Sequence, residues 1–428
     1  MPSNYRNFRK SVPWVILFLE AFFIALFCAD YFVLSHGLAG KSHTSYPAFQ
    51  DVSHMVIFGF GFFLTFLKRY GFSSTGFHLL IIALGVQCSV LVEDILFSLL
   101  ERTHDDSLLR ITKATMSMTA VVISTGAVLG KANPVQLIVM TVVEIIVFHG
   151  SRQINKAFLQ VPDNVSMMHV HLFGAYFGLA LSSRFSEPSP RSEKNASTSE
   201  SDLLSVLGTL FLWVFWPSFN SVLVLKDMSK ADNNTVSAVT ASEAANTTFL
   251  AYEASKAAGN TFFALAVSAV TAFILSVLTT KDGKIRMTHI HSAVIAGGVA
   301  VSYTAQSIEY PWIAMILGLL ASAIAILGSY CLQRCLNPTL KIHDSSGVHF
   351  TFGLPAVLGA LAQIVFLVIK NWTNLPRLGY LVFIQVGAFS QTISVAMIAG
   401  WITGSVLNLK PFKTAPVSKY FDDQFYWE

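Results

Sequence analysis

Residues 162–182 read PDNVSMMHVHLFGAYFGLALS, a membrane-length apolar run with an acid at its mouth and a histidine inside it. Asp163 follows Pro162, where a helix N-cap belongs, so its carboxylate is expected to accept the unpaired N–H groups of the first turn. His171 lies eight residues on, on the order of 12 Å along a helix at ~1.5 Å per residue. Gly174, Ala175 and Gly178 follow at helix-packing spacing, and small residues let a second helix come close. Lipid cannot solvate an ionisable group at that depth. The histidine therefore either serves a functional site or hydrogen-bonds a neighbouring helix.

The rest of the composition fits a membrane setting. The chain has 428 residues, of which 53% are hydrophobic and 12% charged, against about 25% charged in soluble domains. This is the composition of an all-α polytopic membrane protein. The net charge of +4 comes from scattered basic residues with no aromatic-interleaved stripe, which argues against nucleic acid. The four cysteines have neither a disulfide framework nor metal-ligand spacing. There is no nucleophile elbow, phosphate loop or ligand cluster, so no enzyme, metal or cofactor is expected.

Apolar segments of roughly 20 residues read as spans. Twelve are expected, at 13–33, 51–69, 76–99, 111–131, 134–151, 164–183, 204–224, 259–279, 288–305, 312–331, 348–369 and 379–408. The chain divides into a short N-terminus (1–12), a membrane domain (13–408) and a tail (409–428). With the N-terminus in the cytosol, 17 of the 28 Lys and Arg fall on the cytosolic side and 11 outside. That asymmetry places both termini in the cytosol. Polar stretches at 186–201 and 226–260 read as loops. The second is the outer one and carries glycosylation sequons at Asn233 and Asn246. Cys331 and Cys335 share a helix face at a cytosolic helix end, which suits either palmitoylation or two inert thiols.

Five ordered motifs carry a family resemblance. They are GAVLGKANPVQL (126–137), HLFGAYFGL with an Asp eight positions before its His, LGTLFLWVFWPSFNS (207–221), THIHSAVIAGGVAV (288–301) and SSGVHFTFGLPAVLGAL (345–361). With KYFDDQ (419–424) they resemble the Rh branch of the ammonium transporter family over nearly the whole chain. The resemblance implies two five-helix halves of inverted topology around a pore, and three protomers side by side. In that family outer acidic groups recruit the cation, two Phe rings close the mouth, and two His share a hydrogen bond in a dry lumen.

On this resemblance Asp163 is the helix-opening acid, His171 the first pore His and Phe219 the second gate ring. Other parts are replaced. Phe352 stands at the second pore His, Met116 at the first gate Phe and Arg152 at an outer-mouth Glu. Arg152 would repel a cation, Met116 would weaken the lid, and Phe352 offers no acceptor to His171. His349, three residues before Phe352, is a candidate substitute; His169, about 200° around the helix from His171, points away. Glu144 and His149 read as interhelical hydrogen-bond groups, Glu93 and Asp94 as solvated, and His289 and His291 as interfacial.

A Phe in place of the second His resembles the erythroid Rh antigen branch. That resemblance implies a structural subunit of the red-cell plasma membrane. Its partners would be membrane lipid, copies of itself or an Rh-associated glycoprotein, and, through the tail, ankyrin and the membrane skeleton. The alternative is a working channel for ammonia or carbon dioxide that uses His171, with or without His349.

Overall fold

The computed structural model describes residues 8–34, 46–99, 107–186, 196–224, 241–329 and 342–427. These are helices and turns, with no strand among the described residues. In chain order they are α1 (Phe8–Leu34), α2 (Tyr46–His54), α3 (Phe60–Phe63), α4 (Gly71–Leu99), α5 (Ser107–Ala127), α6 (Pro134–Ala157), α7 (Asp163–Met168) and α8 (Val170–Ser182). They continue as α9 (Ser199–Ser221), α10 (Ala241–Thr279), α11 (Met287–Val301), α12 (Pro311–Leu327), α13 (Leu354–Asn371) and α14 (Leu375–Leu407). Every expected span holds a helix, and eight helices among the described residues are long and apolar enough to cross a membrane. Pro134, Pro311 and Pro355 each fall in the first helical positions, where a missing N–H costs least.

The departures have local causes. The expected 51–69 span is not one α-helix: a π-helical turn, Met55–Gly59, separates α2 from α3. A second π turn, His349–Gly353, leads into α13. The loop expected at 226–260 is helical from Ala241 onward, because α10 runs 39 residues. That is ~58 Å of helix against a hydrocarbon core of ~30 Å, so the Ala- and Ser-rich start of α10 extends beyond the membrane. Asn246 lies in that extension; Asn233, Cys331 and Cys335 lie outside the described residues. The loop expected at 186–201 stops at Thr198, whose hydroxyl accepts from the Ser201 N–H in a reciprocal capping box.

Glycine brings the central helices together. A side chain at Gly178 would sit 2.7 Å from the Cα of Ser124 on α5, and one at Gly174 would collide with the Ala120 carbonyl. On the other flank of α8, Gly400 and Gly404 of α14 abut the backbone carbonyls of Phe177 and Leu181. The small-residue spacing in 162–182 therefore does what the sequence suggests.

The tail folds back onto the helix ends. Asp423 accepts from the N–H groups of Phe72 and Ser73 at 2.9 and 2.8 Å, capping the start of α4. Trp427 Nε1 donates to Ser73 Oγ at 3.0 Å. Phe421 packs against Gly130, whose φ of +76° and lack of a Cβ admit the ring.

Gly174→Ala is expected to destabilise the purified protein by about 1–3 kcal/mol through overpacking against α5. Gly150→Ala, where nothing among the described residues lies within 4 Å of the new carbon, should leave stability unchanged or raise it by up to ~1 kcal/mol. Thermal unfolding in detergent separates the two.

Candidate functional site: an aromatic column capped by buried ion pairs

His171 is fully buried at the start of α8. Its Nδ1 faces the Met168 carbonyl at 3.3 Å, and Nε2 has no hydrogen-bond partner among the described residues. The imidazole lies between two rings of α9: Trp216 stacks on it at 5.5 Å and Phe219 meets it edge-on at 5.8 Å. Trp216 and Phe219 are three residues apart, so the helical period presents both to one side.

From Trp216 the rings continue. Phe60 is 6.4 Å from Trp216, Phe352 is 5.9 Å from Phe60, and Phe63 is 6.0 Å from Phe352. Phe63 then stacks on His291 at 4.0 Å, and His291 Nε2 is hydrogen-bonded to the Phe63 carbonyl at 3.0 Å. Every ring between Phe219 and Phe63 is at most 1% exposed. The two π turns shape this column: one precedes Phe60 and Phe63, and the other carries Phe352. A π turn rotates the following side chains relative to an α-helix, and such turns are frequent at functional sites.

The sequence-predicted residues fall into place unevenly. His171, Phe219 and Phe352 lie in one column. Met116 is fully buried on α5 in the same apolar core. His349 is not beside His171: it packs on Tyr176 at 6.0 Å and Phe350 at 5.0 Å, and its Nδ1 has no partner among the described residues. His169 turns to α14, as its position on the helix predicts, with Nδ1 2.9 Å from Thr392 Oγ1. Glu144 accepts from Ser124 at 2.6 Å, and His149 Nε2 meets Ser89 at 2.8 Å, both between helices as expected. His291 is buried under Phe63, not interfacial, because stacking and the Phe63 carbonyl together satisfy the ring.

Trp216, Phe60 and Phe63 were not singled out from sequence. Trp216 is detectable by its spacing from Phe219. Phe60 and Phe63 sit in FGFGFF, where the aromatics have no single period to read.

At the end of the bundle where α4, α5, α6 and α7 meet, charges cluster. Asp163 is the first residue of α7 but does not cap it; Pro162 occupies the N-cap. Its carboxylate instead accepts from Lys113 at 2.6 Å, Arg152 at 2.6 Å and Lys156 at 2.7 Å. Arg152 also reaches Glu93 at 3.2 Å, and Arg110 pairs with Asp94. Glu93 and Asp94 are 5% and 2% exposed, so they are paired inside the protein, not solvated. Arg152 is likewise no free repelling charge, since two carboxylates hold its guanidinium. Three cations outrank the N–H groups of α7 as partners because a charge-assisted hydrogen bond is about twice as strong as a neutral one.

This geometry defines a polytopic helical membrane protein with a buried column of rings and a separate cluster of buried ion pairs. Residues 15–414 match the Ammonium Transporter Family. The chain is 40% identical to an RH-like protein of Macaca mulatta over 433 residues, covering 100% of this chain and 98% of the relative. It is 38% identical to the Blood group Rh(D) polypeptide of Rattus norvegicus over 446 residues, with the same coverage. Among solved structures, Nitrosomonas europaea Rh50 superposes with a TM-score of 0.69 at 25% identity, covering 89% of this chain and 91% of that one. The chain belongs to the ammonium transporter family, and its relatives within it are Rh proteins.

Asp163→Asn removes the carboxylate charge that Lys113, Arg152 and Lys156 share. Breaking one partner out of a buried ion pair costs about 3–5 kcal/mol, so a clear fall in thermal stability is expected. Glu309→Gln removes a carboxylate whose side chain is 67% exposed and should change stability by less than ~1 kcal/mol. Equal midpoints for the two variants would show that the cluster is not structural.

Proposed function

We propose that this protein is a complex-forming Rh-type subunit whose own pore is closed to ammonia. The observation that carries the reading is the unbroken run of rings from Phe219 through His171, Trp216, Phe60 and Phe352 to Phe63 and His291. A conducting lumen needs a file of space with polar contacts along it. Here Phe352 contributes only carbon, and it packs between Phe60 and Phe63.

On this reading the exposed apolar faces meet lipid and neighbouring protomers in the plasma membrane of the red cell. Both termini are cytosolic. The assembly is a trimer, of this chain alone or with an Rh-associated glycoprotein. The outer end that recruits a cation in conducting relatives is a closed ion-pair network in this chain, centred on Asp163 and Arg152. Engagement of ankyrin by the tail would require Phe421 and Trp427 to leave Gly130 and Gly76, against which they pack.

A second reading, passage of neutral ammonia or carbon dioxide, is favoured by Nε2 of His171 and Nδ1 of His349, which have no hydrogen-bond partner among the described residues. Stopped-flow recording of internal pH in proteoliposomes separates the two. The wild type is expected to follow empty liposomes after an ammonium gradient, whereas Phe352→Ala, which removes a ring from the column, should alkalinise faster. Wild-type flux above empty liposomes, abolished by His171→Phe, would overturn the closed-pore reading.

A further inference from the structure

His78 of α4 is buried and reaches across to the first π turn, Met55–Gly59. Its Nε2 lies 3.1 Å from the Val56 carbonyl oxygen and 3.1 Å from that of Ile57. A carbonyl oxygen only accepts, so the ring proton sits on Nε2 and is shared between the two. Nδ1 is then the bare nitrogen, and it has no partner among the described residues.

The imidazole bonds where the backbone ladder is broken. In an α-helix the Phe60 N–H would serve the carbonyl four residues back, that of Val56. In the π turn this N–H goes to the Met55 and Ile57 carbonyls instead. Val56 is fully buried, so bulk water does not replace the lost donor. A buried acceptor left without a donor is costly, and His78 supplies one. A side chain entering the helical ladder in this way is a recognised cause of a local break. Gly61 makes the approach possible, since a Cβ there would stand 3.1 Å from His78 Cδ2.

The π turn in turn aims two rings. Phe60 and Phe63 follow it on α3 and are both buried. Phe60 packs against Trp216 and Phe352, while Phe63 meets Phe352 and stacks on His291 at 4.0 Å. A π turn takes up one residue more than an α turn. Returning it to the α register would rotate everything after it by about 100°, which carries both rings off the column. The N–H of one imidazole therefore stands between the fold of α2 and α3 and the placement of two rings.

We propose that His78 is a positioning residue: its shared N–H holds Met55–Gly59 in the π register and so keeps Phe60 and Phe63 in the ring column. This role rests on the column itself and not on its closure to ammonia. It is therefore tested on the full chain in detergent, without a gradient, and can fail while the closed-pore reading stands. Two signals are read: hydrogen–deuterium exchange across residues 55–63, and the NMR signal of the His291 Hε1 proton in histidine-labelled protein, assigned by its loss in His291→Gln. A proton stacked over the Phe63 face is shifted upfield by the ring current. His78→Phe keeps a ring but removes the N–H. Exchange across 55–63 should rise by about tenfold, and the His291 signal should move downfield as Phe63 leaves the imidazole. His78→Gln, whose amide N–H takes the place of Nε2–H, should restore both signals. Gly61→Ala leaves the N–H in place but presses on the ring, and should give the same two changes in smaller measure. A merely structural loss would raise exchange along the whole of α4 and leave the His291 signal of folded molecules unmoved. That result would overturn the proposal, as would a His78→Gln variant indistinguishable from His78→Phe. Should His78→Phe not fold, an unmoved His291 signal in Gly61→Ala would overturn it.

Discussion

The bundle depends on backbone contact along both flanks of α8. Gly174 and Gly178 let α5 approach until main chain meets main chain, and Gly400 and Gly404 do the same for α14. Without a water-driven hydrophobic term between helices in lipid, such contact gains its energy from dispersion over many close atoms. It also fixes geometry. Once α8 is clamped, His171 can face only α9, His169 only α14, and the Ser182 hydroxyl sits where Lys131 Nζ donates to it at 2.8 Å. A matching junction holds the later helices, where Gly297 of α11 and Gly318 of α12 both close on the Ala264 carbonyl of α10.

The ion cluster follows from the same clamp. α4, α5 and α6 arrive with Glu93, Lys113 and Arg152 already pointing into one space, and α7 delivers Asp163 to its centre. Charges brought so close out of bulk water must pair. In this setting Arg152 binds the two acids rather than projecting a field toward approaching cations. A single residue type read from sequence gave the sign of the charge but not its neutralisation.

Much of the fold was legible because lipid imposes simple rules: segment length, glycine spacing and prolines at helix starts each found their place. The π turns were not legible, since one inserted residue leaves composition and period almost unchanged. Nor was the burial of Glu93, Asp94 and His291, which depends on partners from distant segments: Arg152 and Arg110 for the acids, the Phe63 carbonyl for the imidazole. His349 shows the same limit. Three residues from Phe352 means a shared face in an α-helix, but both lie in a π turn that sends them to different neighbours.

These constraints also explain how a ring at position 352 fits without cost to the scaffold. A histidine in a dry channel needs a partner for each nitrogen, and an unmet polar group there costs about 1–3 kcal/mol. Phe352 carries no such demand and adds ring contacts to Phe60 and Phe63. The glycine clamp on α8 does not involve this position, so the side chain there can change while those helix contacts stay intact. Within one architecture, the ring column and the helix frame therefore rest on different contacts. The residue that bears the remaining mismatch is His171, whose Nε2 has, among the described residues, no partner of the kind a polar neighbour would supply.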